Sequence, residues 1–116
     1  MSGPNETGNV VVSFTDELKV VERFRPDGKL WKREHFNEQG LHHNPNGPAL
    51  ENWWPNGQKK VELFCLIGRI HNRLGPAETL WNENGDLDFQ QFFIDDELVT
   101  EEEFVARTST KSAGKR

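Results

Sequence analysis

Ala49-Leu-Glu-Asn-Trp-Trp-Pro-Asn-Gly57 and Ala77-Glu-Thr-Leu-Trp-Asn-Glu-Asn-Gly85 are the two stretches that decide the fold. Laid one over the other they are 28 positions apart. The same step carries Gly40 onto Gly68, His43-Asn44 onto His71-Asn72, and Gly47-Pro48-Ala49 onto Gly75-Pro76-Ala77. It also carries Trp53 onto Trp81, and Phe36 onto Phe64 and then onto Phe92. An earlier copy opens at Phe24-Arg-Pro-Asp-Gly28, 29 positions before Trp53-Trp-Pro-Asn-Gly57, so it holds one extra residue. Seven of the 10 glycines fall on this lattice, which coincidence does not produce. A period of this length marks a repeated supersecondary unit that stacks on its neighbours.

Each unit reads as a β-hairpin. Asp27-Gly28, Asn56-Gly57 and Asn84-Gly85 supply the positive φ that tight hairpin turns need. After the turns the apolar residues alternate, as they do on the two faces of a strand. Across 59–67, Val61, Leu63, Cys65 and Ile67 point one way and Glu62, Phe64 and Leu66 the other. Across 86–94, Leu87, Phe89 and Phe93 share a face, with Phe92 and Ile94 opposite. Shorter strands precede the turns at 49–54 and 77–81, and the Gly-Pro pairs at 47–48 and 75–76 redirect the chain between hairpins. Val10–Phe14 and Leu18–Phe24 read as the strands that begin the sheet. Thr100-Glu-Glu-Glu103 has the capping-box pattern, so Glu101–Arg107 is expected as a short helix closing the last edge. The fold class is all-β: an antiparallel meander of hairpin repeats with a C-terminal capping helix, one domain over 9–107, and disordered ends at 1–8 and 108–116.

Composition agrees with this architecture. The chain has 116 residues, 34% of them hydrophobic, and a mean hydropathy of −0.80, yet it holds 8 Phe and 4 Trp with no Tyr. No run approaches the ~18 apolar residues of a membrane span. So few apolar residues, many of them aromatic, fit a thin sheet better than a deep core. Cys65 is alone, which excludes an intramolecular disulfide and a cysteine zinc cage. The opening residues lack a basic and then apolar signal segment, so a cytoplasmic, reducing setting is expected. Net charge is −5, and Asp86, Asp88, Asp95, Asp96, Glu97, Glu101, Glu102 and Glu103 crowd into a stretch without Lys or Arg. Without a basic stripe to neutralise phosphates, direct nucleic-acid binding is not expected.

The segments Gly-Leu-His-His-Asn-Pro-Asn-Gly-Pro-Ala (40–49) and Gly-Arg-Ile-His-Asn-Arg-Leu-Gly-Pro-Ala (68–77), with their aromatic-then-Asn-Gly turns, resemble a MORN-like repeat. The variant is the His and Gly-Pro-Ala form met in hypothetical proteins of bacteriophages and large DNA viruses. The resemblance covers about residues 20–104, and the ending Ile94-Asp-Asp-Glu-Leu-Val-Thr-Glu-Glu-Glu-Phe104 is similar to how such arrays terminate. It implies an elongated sheet that acts as a protein-interaction scaffold, in the host cytoplasm for a viral protein. No basic amphipathic surface is visible, so membrane binding is not expected.

Candidate chemistry is sparse. His43 and His71 occupy equivalent positions one hairpin apart, which at ~4.8 Å per strand separates them by ~10 Å, too far for the short bonds of one zinc ion. Their expected work is hydrogen bonding of the loops between hairpins, with His42 facing away from His43. Asp86 and Asp88 lie ~7 Å apart on one strand face, a spacing open to a carboxylate pair but commonplace after a turn. Cys65 reads as a small buried hydrophobe. No cofactor or metal is expected, and the chain does not read as an enzyme.

Trp53 and Trp81 recur on the lattice and are expected in the core. Trp54, whose counterpart is Asn82, is the expected exposed contact residue. The leading reading is a protein–protein interaction module that binds a partner, or itself through its open first strand. The alternative is a phage-encoded inhibitor of a host defence nuclease, of the anti-CRISPR or anti-restriction kind. Its acidic stretch 86–103, with Asp86, Asp88, Asp95, Asp96 and Glu97, would imitate nucleic-acid phosphates.

Overall fold

The chain runs as a ribbon of antiparallel strands laid side by side in order of sequence. In the computed structural model, which describes residues 8–113, the strands are β1 (Val10–Thr15), β2 (Leu18–Phe24), β3 (Leu30–Phe36), β4 (Leu50–Trp53) and β5 (Lys59–Leu63). There follow a side pair, β6 (Cys65–Leu66) and β7 (Arg69–Ile70), and then β8 (Glu78–Trp81), β9 (Leu87–Ile94), β10 (Glu97–Val99) and the helix α1 (Glu101–Ala113). The main sheet has the order β1-β2-β3-β4-β5-β8-β9-β10, and every pairing in it is antiparallel. β6 and β7 form a hairpin of their own to one side.

The turns are built as the Asn-Gly and Asp-Gly pairs require, with one refinement. Only the glycine of each pair carries positive φ, +90° at Gly28 and +94° at Gly57 and Gly85. The residue before it uses its side chain instead: Asp27, Asn56 and Asn84 each accept the N–H two residues on, at 2.9, 2.9 and 3.0 Å. This is the longer hairpin loop, a turn followed by a left-handed glycine, and it shifts the register at Arg23/Phe24, Asn52/Trp53 and Leu80/Trp81.

Hydrogen bonds recur 28 residues apart in the second half of the array. Ala49 N–H donates to Leu63 O and Ala77 N–H to Gln91 O, both at 2.9 Å, and Asn44 and Asn72 amides donate to Pro48 and Pro76 carbonyls. The earlier copy corrects one alignment. His43 N–H donates to His35 O as His71 N–H does to Phe64 O, so the counterpart of Phe64 is His35, not Phe36. The extra residue therefore lies in the turn Asn37–Gly40, where β3 and its loop replace the tight Ile67-Gly68 turn of the next unit. That turn also ends the expected long strand 59–67. The ladder breaks at Phe64, and Ile67 adopts φ +48° at the hairpin tip, 62% exposed.

The sheet is one layer thick, with extents of 62 × 35 × 18 Å and a radius of gyration of 16.6 Å, against about 13 Å for a compact chain of this length. No large side chain is fully buried among the described residues. Ala49 and Ala77, each at 0% exposure, stand just before β4 and β8, with main-chain bonds to the chain on either side. Trp53 and Trp81, expected in the core, are half-buried. A single sheet has no second layer to bury them, so Trp53 lies flat under the Arg33 and Lys59 cations at 5.3 and 5.1 Å.

Among the described residues the one compact apolar cluster is at the far end, where Ile94, Val99 and Phe104 pack together with Phe92. It forms because the capping box closes: Thr100 N–H donates to Glu103 Oε1 at 2.9 Å and Glu103 N–H to Thr100 Oγ1 at 3.0 Å. The helix, expected to end at Arg107, continues to Ala113. Once capped, a helix gains a bond per added residue, and the Thr108 and Ser109 hydroxyls turn back onto the Phe104 and Val105 carbonyls. The expected disorder of 1–7 and 114–116 lies outside the described residues.

Candidate functional site

The histidines hold the loops between hairpins. His43 Nδ1 accepts the Ile67 N–H at 2.8 Å, and His71 Nδ1 accepts the Asp95 N–H at 3.0 Å, 28 residues further along at both ends. A backbone N–H only donates, so in both bonds Nδ1 is the acceptor. Beside each, a second bond ties the same loop to the next tip: Gly68 N–H to His42 O, and Asp96 N–H to Ile70 O, both at 2.8 Å. His42 turns elsewhere. Its Nε2 is 2.9 Å from Glu34, and its ring lies 4.8 Å from that of Phe36. Among the described residues no group of three His, Cys, Asp or Glu side chains could hold a metal ion. Cys65 is buried, and burial, helped by the charge of Asp96, pushes its thiol up to about 11, so it is not a nucleophile at neutral pH.

The six residues singled out as contacts lie in separate parts of the sheet. Trp54 is half-buried: its indole N–H donates to Trp81 O at 3.1 Å, and Lys60 covers its ring at 4.5 Å. It is a staple between neighbouring hairpins, because the turn before Gly57 bends it onto the next strand instead of leaving it in an extended segment. Asp86 and Asp88 are exposed beside that end of the sheet. Asp95, Asp96 and Glu97 lie at the opposite end of β9, ~25 Å away by the strand rise.

Part of the acidic run serves the fold. Asp95 and Asp96 adopt φ +47° and +72° in the two-residue turn, and Asp96 Oδ1 accepts the Ile70 N–H at 2.8 Å. Glu97 pairs with Arg107 at 3.2 Å, and Glu103 closes the capping box. Glu101, Glu102 and Glu103 occupy the first helical turn, where negative charge suits the helix dipole.

A different feature, a ladder of alternating charge across one face, was not legible in the sequence. Glu22, Arg33, Glu51 and Glu62 are directly opposed on successive strands. Arg33 bonds Glu22 at 2.9 Å and Glu51 at 3.1 Å, and Lys59 bonds Glu51 at 2.7 Å and Glu62 at 3.0 Å. Burial alone would lower both cations, but the carboxylate hydrogen bonds outweigh it and leave Arg33 and Lys59 raised. Every charge in the ladder has a partner, and three carboxylates against two cations leave it one charge negative. The signal was present as charges at alternate positions, but only the register shows which of them meet.

Comparison with protein-family models, with curated proteins and with solved structures gives no match to this chain. No helix among the described residues is long and apolar enough to cross a membrane. What the geometry offers is surface. Leu74 at 95%, Phe14 at 73% and Ile67 at 62% exposure are large apolar side chains held in solvent by an ordered frame.

Proposed function

We propose that the protein is a non-enzymatic protein–protein interaction module, a MORN-like scaffold of viral type that binds a protein through its sheet face or edge. The observation that carries this reading is the single layer of 62 × 35 × 18 Å with both broad faces in solvent. Such a molecule displays much surface for its mass, and Arg33 and Lys59 with the glutamates they pair tie its neighbouring strands together. Exposed apolar side chains at the loops and at the first strand support contact with a protein partner, since apolar anchors in a polar surround mark such interfaces.

The second reading, an acidic nucleic-acid mimic acting on a host defence nuclease, draws on the exposure of Asp86, Asp88, Asp95, Asp96 and Glu97. Affinity capture with the full chain as bait in cells of its native host, followed by identification of the bound protein, separates the two. A partner retained as salt rises, and unaffected by Asp86→Lys with Asp88→Lys, is the outcome expected of a face or edge contact. Binding that collapses with salt and with those changes supports mimicry instead. A chain that captures no protein and scatters light as a monomer overturns the interaction reading.

A further inference from the structure

Among the described residues the first strand of the sheet has one side unpaired, and its geometry specifies what fits there. Phe24 N–H donates to Asn9 O at 2.8 Å, and the register runs from Val10↔Arg23 to Thr15↔Leu18. In an antiparallel pair, hydrogen-bonded residues alternate with residues whose main-chain groups point away. Asn9, Val11, Ser13 and Thr15 therefore bond β2, while Val10, Val12 and Phe14 direct their N–H and C=O groups out of the sheet. The same three residues share one face and expose their side chains, at 52%, 50% and 73%. Free main-chain groups and an apolar stripe thus coincide residue for residue.

We propose that this edge pairs with the same edge of a second copy, antiparallel about a two-fold axis through Val12, so that two sheets become one. The inference rests on the interaction reading and names the partner at the edge. In this register Val12 meets Val12 of the second copy, and Val10 meets its Phe14. Three hydrogen-bonded pairs close, with on the order of six main-chain bonds. The stripes of the two copies merge on one face, and on the other Val11 opposes Ser13.

Three observations favour a second copy over another occupant. No residue from Asn9 to Thr15 is ionisable, so the strand does not repel itself, and it carries none of the Lys or Pro guards that natural edges use. The stripe is self-complementary, as a two-fold contact requires. The other end of the sheet is closed to it: β10 spans only Glu97–Val99, Glu97 is tied to Arg107, and Phe104 of α1 packs on Val99. Head-to-tail growth is thereby blocked, and pairing stops at two copies.

Size-exclusion chromatography with light scattering on the full chain tests this across a dilution series. The wild type is expected at twice 13.4 kDa when concentrated, falling toward 13.4 kDa on dilution. Val12→Pro removes an outward N–H that β2 does not use, and is expected to stay monomeric with an unchanged circular dichroism spectrum. Val12→Lys and Val12→Glu are each expected to be monomeric alone and to recover the doubled mass when mixed, because position 12 faces itself. A wild type at 13.4 kDa at every concentration, or a doubled mass that survives Val12→Pro or Val12→Lys, overturns the proposal. A monomer that still captures a different protein overturns this pairing while leaving the interaction reading intact.

Discussion

His71 shows how a single side chain carries the repeat. Its ring, 11% exposed, accepts the Asp95 N–H and so fixes the tip of the following hairpin. His71→Ala removes that acceptor from an exposed N–H that water can then reach, and is expected to cost about 0.5–1.5 kcal/mol in urea unfolding. His43→Ala is expected to do the same for Ile67, and an unchanged midpoint in both variants would remove the clamp from the account. His35 acts in the opposite sense. Burial lowers its pKa below the usual value, and its Nδ1 is buried without a hydrogen-bond partner among the described residues. As the pH falls below about 6.5 the unfolded chain takes up the proton first, so stability falls with falling pH until the folded-state value is passed. His35→Gln is expected to flatten that part of the stability–pH curve relative to wild type. An identical slope in the two proteins would contradict the assignment.

The hairpin, as an element, is held by its turn more than by its burial. Gly57 has φ +94° with open space where a Cβ would stand, whereas Gly75 has open space and no positive φ. Gly57→Ala is thus expected to lose about 1–2 kcal/mol through the backbone alone, and Gly75→Ala to be neutral or slightly stabilising. Equal effects at the two positions would show that packing, not φ, decides. The turns were readable because Asn-Gly and Asp-Gly pairs impose their conformation locally, and the same holds for the capping box at Thr100 and Glu103. Other features depend on what the strands meet. The indole of Trp54 bonds a carbonyl 27 residues away, and Arg33 meets Glu51 only through the register of two strands. Trp53 looked like core because it recurs, but recurrence reports a repeated environment and not a buried one. The helix ran past Arg107 because propagation from a good cap overrides the weak preference of Thr108 and Ser109. The acidic run was easy to see and hard to interpret, since turn, cap and ion pair draw on the same residue types as a binding surface.

At the scale of the whole molecule, low hydrophobicity and many aromatics are reconciled by a sheet with two faces and little interior. The Trp31, Trp53 and Trp54 rings lie along it under Arg and Lys cations, and one small cluster under α1 closes the end. The functional proposals depend on that thinness. Small-angle X-ray scattering on the Val12→Pro chain measures it directly. The account predicts an elongated particle with a radius of gyration near 16.6 Å and a longest dimension of the order of the 62 Å ribbon. A compact particle near about 13 Å, as expected of a globular domain of this length, would contradict it.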